Sequence, residues 1–405
     1  MKPRILIAIH YMMIGGAERS LLGLLNAIDP NQADVDLFIY DHRGEFMTLI
    51  PGKVNLLPEI PIYATIEKPM LQMLRKGYIG IVAARLLARL AFKRWDRKNK
   101  PKGGDGVLQY ISDFTTPLLP SLKRRFGHYD LAVSFVTPHR IVLDKIDAER
   151  KVAWIHTDYS TVTVNARREL KTWGQYDYIA SISNEVTRAF LTTFPSLEHK
   201  IVLIENILSP TFVRQQATLY DPTTLMPRRE GEWTLLSVGR FTYPKNFDNL
   251  PWICKHLCQM GLQVKWYIVG YGNINAITRN INEAGMENHV IILGKQTNPY
   301  PLMARCDVYV QPSRYEGKSV TVREAQMLCK PVVITNYPTA PSQIQNGVDG
   351  VIVPLDNLEC AQGIARVLQD QNLRTQLSQY LATHDYGNEA EVQKLYQLAA
   401  PNNHH

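Results

Sequence analysis

A chain of 405 residues with 45% hydrophobic and 20% charged residues is too long for one core of ordinary size and too balanced in composition for a disordered or collagen-like protein. Its five cysteines, Cys254, Cys258, Cys306, Cys329 and Cys360, are odd in number and lack framework spacing, which excludes a disulfide scaffold. The net charge of +8 is local: residues 68–102 hold eleven Lys and Arg against Asp96 alone, so that segment is +10 and the rest of the chain sums to −2. Basicity confined to one segment argues against a nucleic-acid partner.

The opening run MKPRILIAIH reads as a core strand and not a secretory leader, since no small-residue cleavage signal follows. No window offers the roughly 18 uninterrupted apolar residues of a spanning helix. A cytoplasmic protein is expected. The chain then alternates short apolar runs with helical patterns, the mark of parallel sheets covered on both faces. Strands are expected at Arg4–Ile9, Val35–Tyr40, Leu131–Phe135, Val152–Ile155, Tyr178–Ser181 and Ile201–Ile204, with a helix at Ala17–Ile28. In the second half they fall at Thr234–Val238, Lys265–Val269, Val290–Leu293, Val308–Gln311, Val332–Thr335 and Gly350–Val353. Pro-rich, charged residues between the halves suggest a linker. The expected organisation is a first doubly wound α/β domain at 1–207 with a basic insertion at about 65–125, a linker at 208–232 and a second such domain at 233–385. A helix and tail at 386–405 are expected to pack back on the first domain. Ligands of such sheets bind beyond the carboxyl ends of the strands, so the cleft between domains is the expected site.

Four clusters follow strands directly. Gly15-Gly16 precedes a helix whose amides suit an anion, although the spacing is not a dinucleotide fingerprint, and a plain turn explains it equally well. Gly239-Arg240 with Lys245 places two cations on one loop, suited to a diphosphate or simply solvated. Gly270 and Gly272, then Gly294-Lys295, fit turns beneath a ring or ribose, or turns alone. Pro312-Ser313 leads to Glu316-Gly317-Lys318-Ser319-Val320, with Glu324 about one turn into the next helix, where a carboxylate suits sugar hydroxyls. Cys254, His256 and Cys258 resemble metal ligands only until a second ligand pair is sought; reduced core thiols are the better reading.

Glu316 and Glu324, separated by seven residues, resemble the E-x7-E motif of retaining GT-B glycosyltransferases of family 4, and the other clusters occur in that family's order. The resemblance is clear over about 233–355 and near the N-terminus and thin over 50–130. It implies two Rossmann-like domains facing across a cleft. It also implies a nucleotide-diphosphate sugar, most often of UDP, as donor, and a saccharide or lipid-linked acceptor in surface-polysaccharide assembly. By the same resemblance Arg240 and Lys245 hold the diphosphate, Glu324 the ribose and Glu316 a sugar hydroxyl. The amides of Gly317, Lys318, Ser319 and Val320 meet the sugar and phosphate, and Gly15, Gly16, Gly239, Gly270, Gly272, Gly294 and Lys295 line the donor. His156 falls where such enzymes carry a histidine near the reacting carbon. No Asp-x-Asp motif is read as a metal ligand, and the paired cations Arg240 and Lys245 can do that work, so no metal or other cofactor is expected.

Other readings are a sugar-nucleotide epimerase on this fold or a silent nucleotide-sugar-binding subunit anchoring a partner at a membrane. Within the basic segment, a helix over Ile79–Arg97 would align Arg85, Arg89, Lys93 and Arg97, with Arg94 and Lys98 among the basic residues. Leu74, Ile81, Leu87, Ala91, Phe92 and Trp95 would gather opposite, as on a helix lying against an anionic membrane. The expected place is then peripheral, on the cytoplasmic face of the inner membrane.

Overall fold

The computed structural model describes residues 2–99, 106–157, 159, 162–316 and 319–400. They form two compact units, Met1–Ile207 together with Glu389–His405, and Leu208–Asn388. Each is a Rossmann-like layer of parallel strands covered by helices.

The first unit is built on β1 (Arg4–Ile9), β2 (Asp34–Ile39), β3 (Asn55–Leu56), β4 (His128–Ser134), β5 (Asp147–Ile155), β6 (Tyr178–Ser181) and β7 (Ile201–Leu203). They lie in the order β3-β2-β1-β4-β5-β6-β7. Ile5 to Ile9 are buried without alternation because helices cover both faces of this central strand. The helix Gly16–Ala27 that follows β1 packs so closely that a Cβ on Gly23 would stand 1.9 Å from the Ile207 carbonyl oxygen. The last helix, Val392–Ala399, belongs to this unit: Leu395 is fully buried, and the Asp29 amide donates to the Tyr396 hydroxyl at 2.8 Å.

The second unit contains β8 (Trp233–Val238), β9 (Val264–Val269), β10 (Val290–Gly294), β11 (Val308–Gln311), β12 (Val332–Thr335) and β13 (Val351–Val353). Their order is β10-β9-β8-β11-β12-β13. The direction of winding reverses between β8 and β11, which makes the loops after those two strands the natural ligand position. Residues 208–232, expected as a linker, are part of this unit. The helix Pro210–Gln216 buries Phe212 and Val213, and Arg214 donates to the Met327 carbonyl at 3.2 Å. Pro and Ser there mark a capped helix start, since Ser209 caps with Pro210 in the first turn.

The basic segment of the first unit holds the helix Ile79–Asn99, whose inner face departs from the expected one. Ile81, Val82, Ala88, Ala91, Phe92 and Trp95 pack on the core, as does Tyr110 from the helix Val107–Thr115. Arg85 is not a membrane-facing residue: it is 3% exposed and its Nη1 donates to the carbonyls of Thr65 at 2.7 Å and Lys68 at 2.6 Å. A buried guanidinium persists only with such partners. Of the apolar side expected to meet a membrane, Ile81, Ala91, Phe92 and Trp95 are taken by the core, while Leu74 and Leu87 part from them and are exposed, together with Leu71, Ile79, Leu86 and Leu90. Arg89, Lys93, Arg94, Arg97 and Lys98 are exposed and Trp95 is half-buried. Among the described residues no helix is long and apolar enough to cross a membrane.

Candidate functional site

At the switch point of the second sheet, the loops after β8 and β11 are tied by two ion pairs. Lys245 Nζ lies 2.5 Å from Glu316 Oε1, with the side chains 18% and 13% exposed. Arg314 forks onto Asp248, Nη1 to Oδ1 at 2.9 Å and Nη2 to Oδ2 at 2.7 Å, and its guanidinium stacks 4.2 Å from the Tyr243 ring centroid. The hydrogen bonds to Asp248 hold the Arg314 pKa above its ordinary value. Sequence reading missed Arg314 and Asp248: they are 66 residues apart, and only the adjacency of β8 and β11 makes them partners.

Glu316 is oriented from beneath by a buried relay. The Tyr309 hydroxyl donates to Gln311 Oε1 at 2.8 Å, Gln311 Nε2 to Ser313 Oγ at 2.9 Å, and Ser313 Oγ to Glu316 Oε1 at 2.8 Å. Burial pushes the Tyr309 hydroxyl pKa far up, so it stays a donor. Every member of the relay lies on β11 or just beyond it, which fixes the carboxylate against the strand end.

The glycines expected on separate loops meet along one edge. The Gly239 amide donates to the Val269 carbonyl and the Gly270 amide to the Gly294 carbonyl, at 3.0 and 2.9 Å. Gly270, at φ +156°, has no room for a side chain, because its Cβ would stand 1.8 Å from the Gly239 carbonyl oxygen. At Gly239 a Cβ would press at 3.3 Å on the Lys245 side chain, so this glycine leaves the lysine its path to Glu316. Gly272 pairs with Phe241 in an isolated bridge. Arg240 is exposed, and Lys295 Nζ lies 5.8 Å from the Tyr271 ring centroid.

Glu324 sits in the helix Val320–Met327, is 1% exposed, and accepts the Tyr300 hydroxyl at 2.7 Å. Gly317 and Lys318 lie outside the described residues. The Ser319 amide is not open to an anion, contrary to expectation: it donates to Gln343 Oε1 at 3.1 Å, and Gln343 Nε2 returns a bond to the Ser319 carbonyl at 2.5 Å. A glutamine 24 residues away gave no sequence signal of that pairing. Val320 is the first helical residue.

In the first unit, the carboxyl ends of the adjacent strands β1, β4 and β5 lead to three histidines, His10 and His139 buried and His156 half-buried. His10 follows β1, His139 lies beyond β4 and His156 follows β5. Only His156 was singled out from sequence; His139, placed by a loop, gave no pattern. Burial drives His156 down to about 3 and His10 to about 4. Burial also takes His139 to about 3, with the charges of His10 and His156 adding to it. All three are neutral near pH 7, and each Nε2 is buried without a hydrogen-bond partner. His139 Nδ1 lies 2.8 Å from Ser134 Oγ, and His156 stacks parallel to Trp154 at 6.2 Å. Gly15 caps the helix that begins at Gly16, and a Cβ on Gly16 would meet nothing within 4 Å. Among the described residues no cluster of His, Cys, Asp and Glu is placed to hold a metal ion.

Two Rossmann-like units with a cation–carboxylate cluster at the switch point of the second sheet define an α/β protein of the GT-B class. Residues 226–384, within the second unit, match the family described as glycosyl transferases group 1. An uncharacterised glycosyltransferase of Methanocaldococcus jannaschii is 24% identical over 59% of this chain and 60% of its own length. The Campylobacter jejuni N-acetylgalactosamine-N,N'-diacetylbacillosaminyl-diphospho-undecaprenol 4-alpha-N-acetylgalactosaminyltransferase is 29% identical over 35% of this chain and 38% of its own length. The chain therefore spans less than two thirds of these relatives. The crystal structure of Anabaena HepE in complex with UDP and glucose shares the fold over 98% of both chains, with a TM-score of 0.61 and 16% identity.

Proposed function

We propose that this protein is a retaining glycosyltransferase that moves a hexose or N-acetylhexosamine from a nucleotide-diphosphate sugar, UDP-linked by preference, to a saccharide or lipid-linked acceptor in surface-polysaccharide assembly. The observation that carries this reading is the Lys245–Glu316 pair at the switch point of the unit that matches glycosyl transferases group 1. In this reading exposed Arg240 meets the donor diphosphate first. Lys245, released in part from Glu316, then shares its charge with the leaving phosphate, and Glu316 turns to a sugar hydroxyl. Positive charge aimed at the departing diphosphate stabilises the transition state because it is in place beforehand. Glu324 with Tyr300 addresses the ribose. Gly239, Gly270, Gly272, Gly294 and Lys295 line the donor, and Gly15 and Gly16 offer a helix start and open space. His156, neutral with an unpartnered Nε2, accepts from or donates to a hydroxyl near the reacting carbon without adding charge. The UDP named in the HepE structure and the lipid-linked saccharide in the Campylobacter relative's name support the donor and acceptor classes.

The test is calorimetry with UDP and with UDP-sugars. Glu324→Ala is expected to weaken UDP by roughly 1.5–3 kcal/mol, the range for a hydrogen bond to a charged group. Glu316→Gln is expected to spare UDP and weaken the sugar donor. Identical losses for both ligands in both variants would contradict these roles.

The membrane reading passes to a different face of the same helix. Ile79, Leu86, Leu87 and Leu90 are 48–67% exposed, with Arg89, Lys93, Arg94 and Arg97 on that side. Exposed leucines beside cations suit an anionic lipid surface, where apolar side chains enter the headgroup boundary. The helix Met70–Arg75 adds exposed Leu71 and Leu74.

A further inference from the structure

We infer that the first unit carries a second anion site, a cavity of about 580 Å³ lined by Arg140, Arg167, Arg168, Lys171, Tyr110 and Asp113, which takes a phosphate or diphosphate group. Four cations and one carboxylate, Asp113, line it; outside the lining Asp144 takes Arg140 Nε at 2.9 Å, which leaves the cations in excess. Asp113, with its side chain 8% exposed, lies 3.4 Å from Arg140 Nη1 and 3.2 Å from Arg168 Nε, holding both guanidiniums in place. Glu169, a further nearby acid, is buried and accepts the Tyr159 hydroxyl at 2.8 Å.

Arg168 is preorganised for an oxyanion. Its guanidinium stacks 4.2 Å from the Tyr110 ring centroid, Nε is held by Asp113, and Nη1 is buried with no hydrogen-bond partner. Asn165 fixes the stack: its Nδ2 donates to the Tyr110 hydroxyl at 2.9 Å, and its Oδ1 accepts the Arg168 amide at 3.2 Å. Arg167 and Lys171, four residues apart on the helix Ala166–Trp173, are like charges on one face, an arrangement that weakens an isolated helix and is relieved by a bound anion. Neither makes an ion pair with a described residue. A planar fork, a second arginine and a lysine converging on a polar cavity of this size are suited to phosphate oxygens.

The site does not depend on the donor reading, and calorimetry of the full chain with inorganic pyrophosphate separates the two. Wild type is expected to show two sites. Arg167→Gln with Lys171→Gln, both exposed and harmless to folding, is expected to weaken one of them about 10- to 100-fold, and Arg168→Gln to do the same. Lys245→Ala is expected to remove the other site. Unchanged pyrophosphate binding in the Arg167/Lys171 variant overturns the inference, whereas unchanged binding in Lys245→Ala strikes the donor reading alone. Glucose 1-phosphate and farnesyl diphosphate in detergent micelles then distinguish a soluble from a lipid-borne phosphate. Loss of either in the Arg167/Lys171 variant supports the site, and loss of neither overturns it.

Discussion

Lys245 Nζ stands 2.5 Å from Glu316 Oε1, so the cation expected on the leaving group and the carboxylate expected on the sugar are each other's partners before a ligand arrives. Donor binding must therefore divide one lysine between two anions. Glu316→Gln frees Lys245 for phosphate, and UDP affinity is expected to hold or rise while turnover falls by about two decades. Removing one member of a largely buried pair also costs roughly 1–3 kcal/mol of stability, less than for a fully buried pair because solvent still reaches both groups. Initial rates beside urea midpoints check this; a variant with weakened UDP and normal turnover would reverse the assignment.

Tyr300 and Glu324 form a second pair, with the hydroxyl 2.7 Å from a carboxylate that is 1% exposed. Tyr300→Phe deletes only that donor. About 1–3 kcal/mol of stability should be lost, seen as a lower urea midpoint at unchanged slope. UDP affinity should drop alongside it. A variant as stable as wild type that binds UDP normally would show that Tyr300 does not position Glu324.

The histidines set the pH dependence of the first unit. His10, His139 and His156 take protons near 6.5 when unfolded but only near 3–4 when folded, because burial penalises the charged ring. Glu67, 3.7 Å from His10 Nδ1, does not offset that burial. Between those values the unfolded chain carries more protons, so stability is fully present above about 6.5 and is lost as pH falls toward 4. Denaturation midpoints at pH 7, 6 and 5 should decline steadily, and less so in His156→Gln. A His156 ring that titrates near 6.5 by NMR would contradict the neutral assignment.

Much of this was legible in the residues, and the failures have physical reasons. Uninterrupted runs such as RILIAI and VYVQ announce strands buried on both faces, and Glu316 and Glu324 can be placed from the strand and helix around them. The two-residue strand Asn55–Leu56 is too short to show a period. Arg85 misled because its partners are main-chain carbonyls, which leave no mark in a sequence, and its helix turned about that buried arginine. Ser319 misled similarly: its amide is taken by Gln343, a contact created only by tertiary folding.

The exposed face of the helix Ile79–Asn99 yields its own expectation. Neutralising Arg89, Lys93, Arg94, Arg97 and Lys98 to Gln should release the protein from anionic vesicles, since each basic residue near such a surface contributes about 1 kcal/mol. Leu86, Leu87 and Leu90 changed to Ser should do so as well, whereas binding carried by charge alone would survive that change. Sedimentation at low and high salt reads both effects, and wild type that never sediments at low salt would remove membrane contact from the account.

The central claim is that the residues at the switch point of the second sheet act on a nucleotide-sugar donor. Release of UDP from a panel of UDP-sugars by the purified chain, beside Arg240→Ala, measures it directly. Arg240 is exposed, so that variant should fold normally, and its UDP release should fall by roughly two to three decades, as for loss of a preorganised charge-stabilising donor. Equal UDP release by wild type and Arg240→Ala, or none from wild type with any nucleotide sugar and acceptor, would contradict the account.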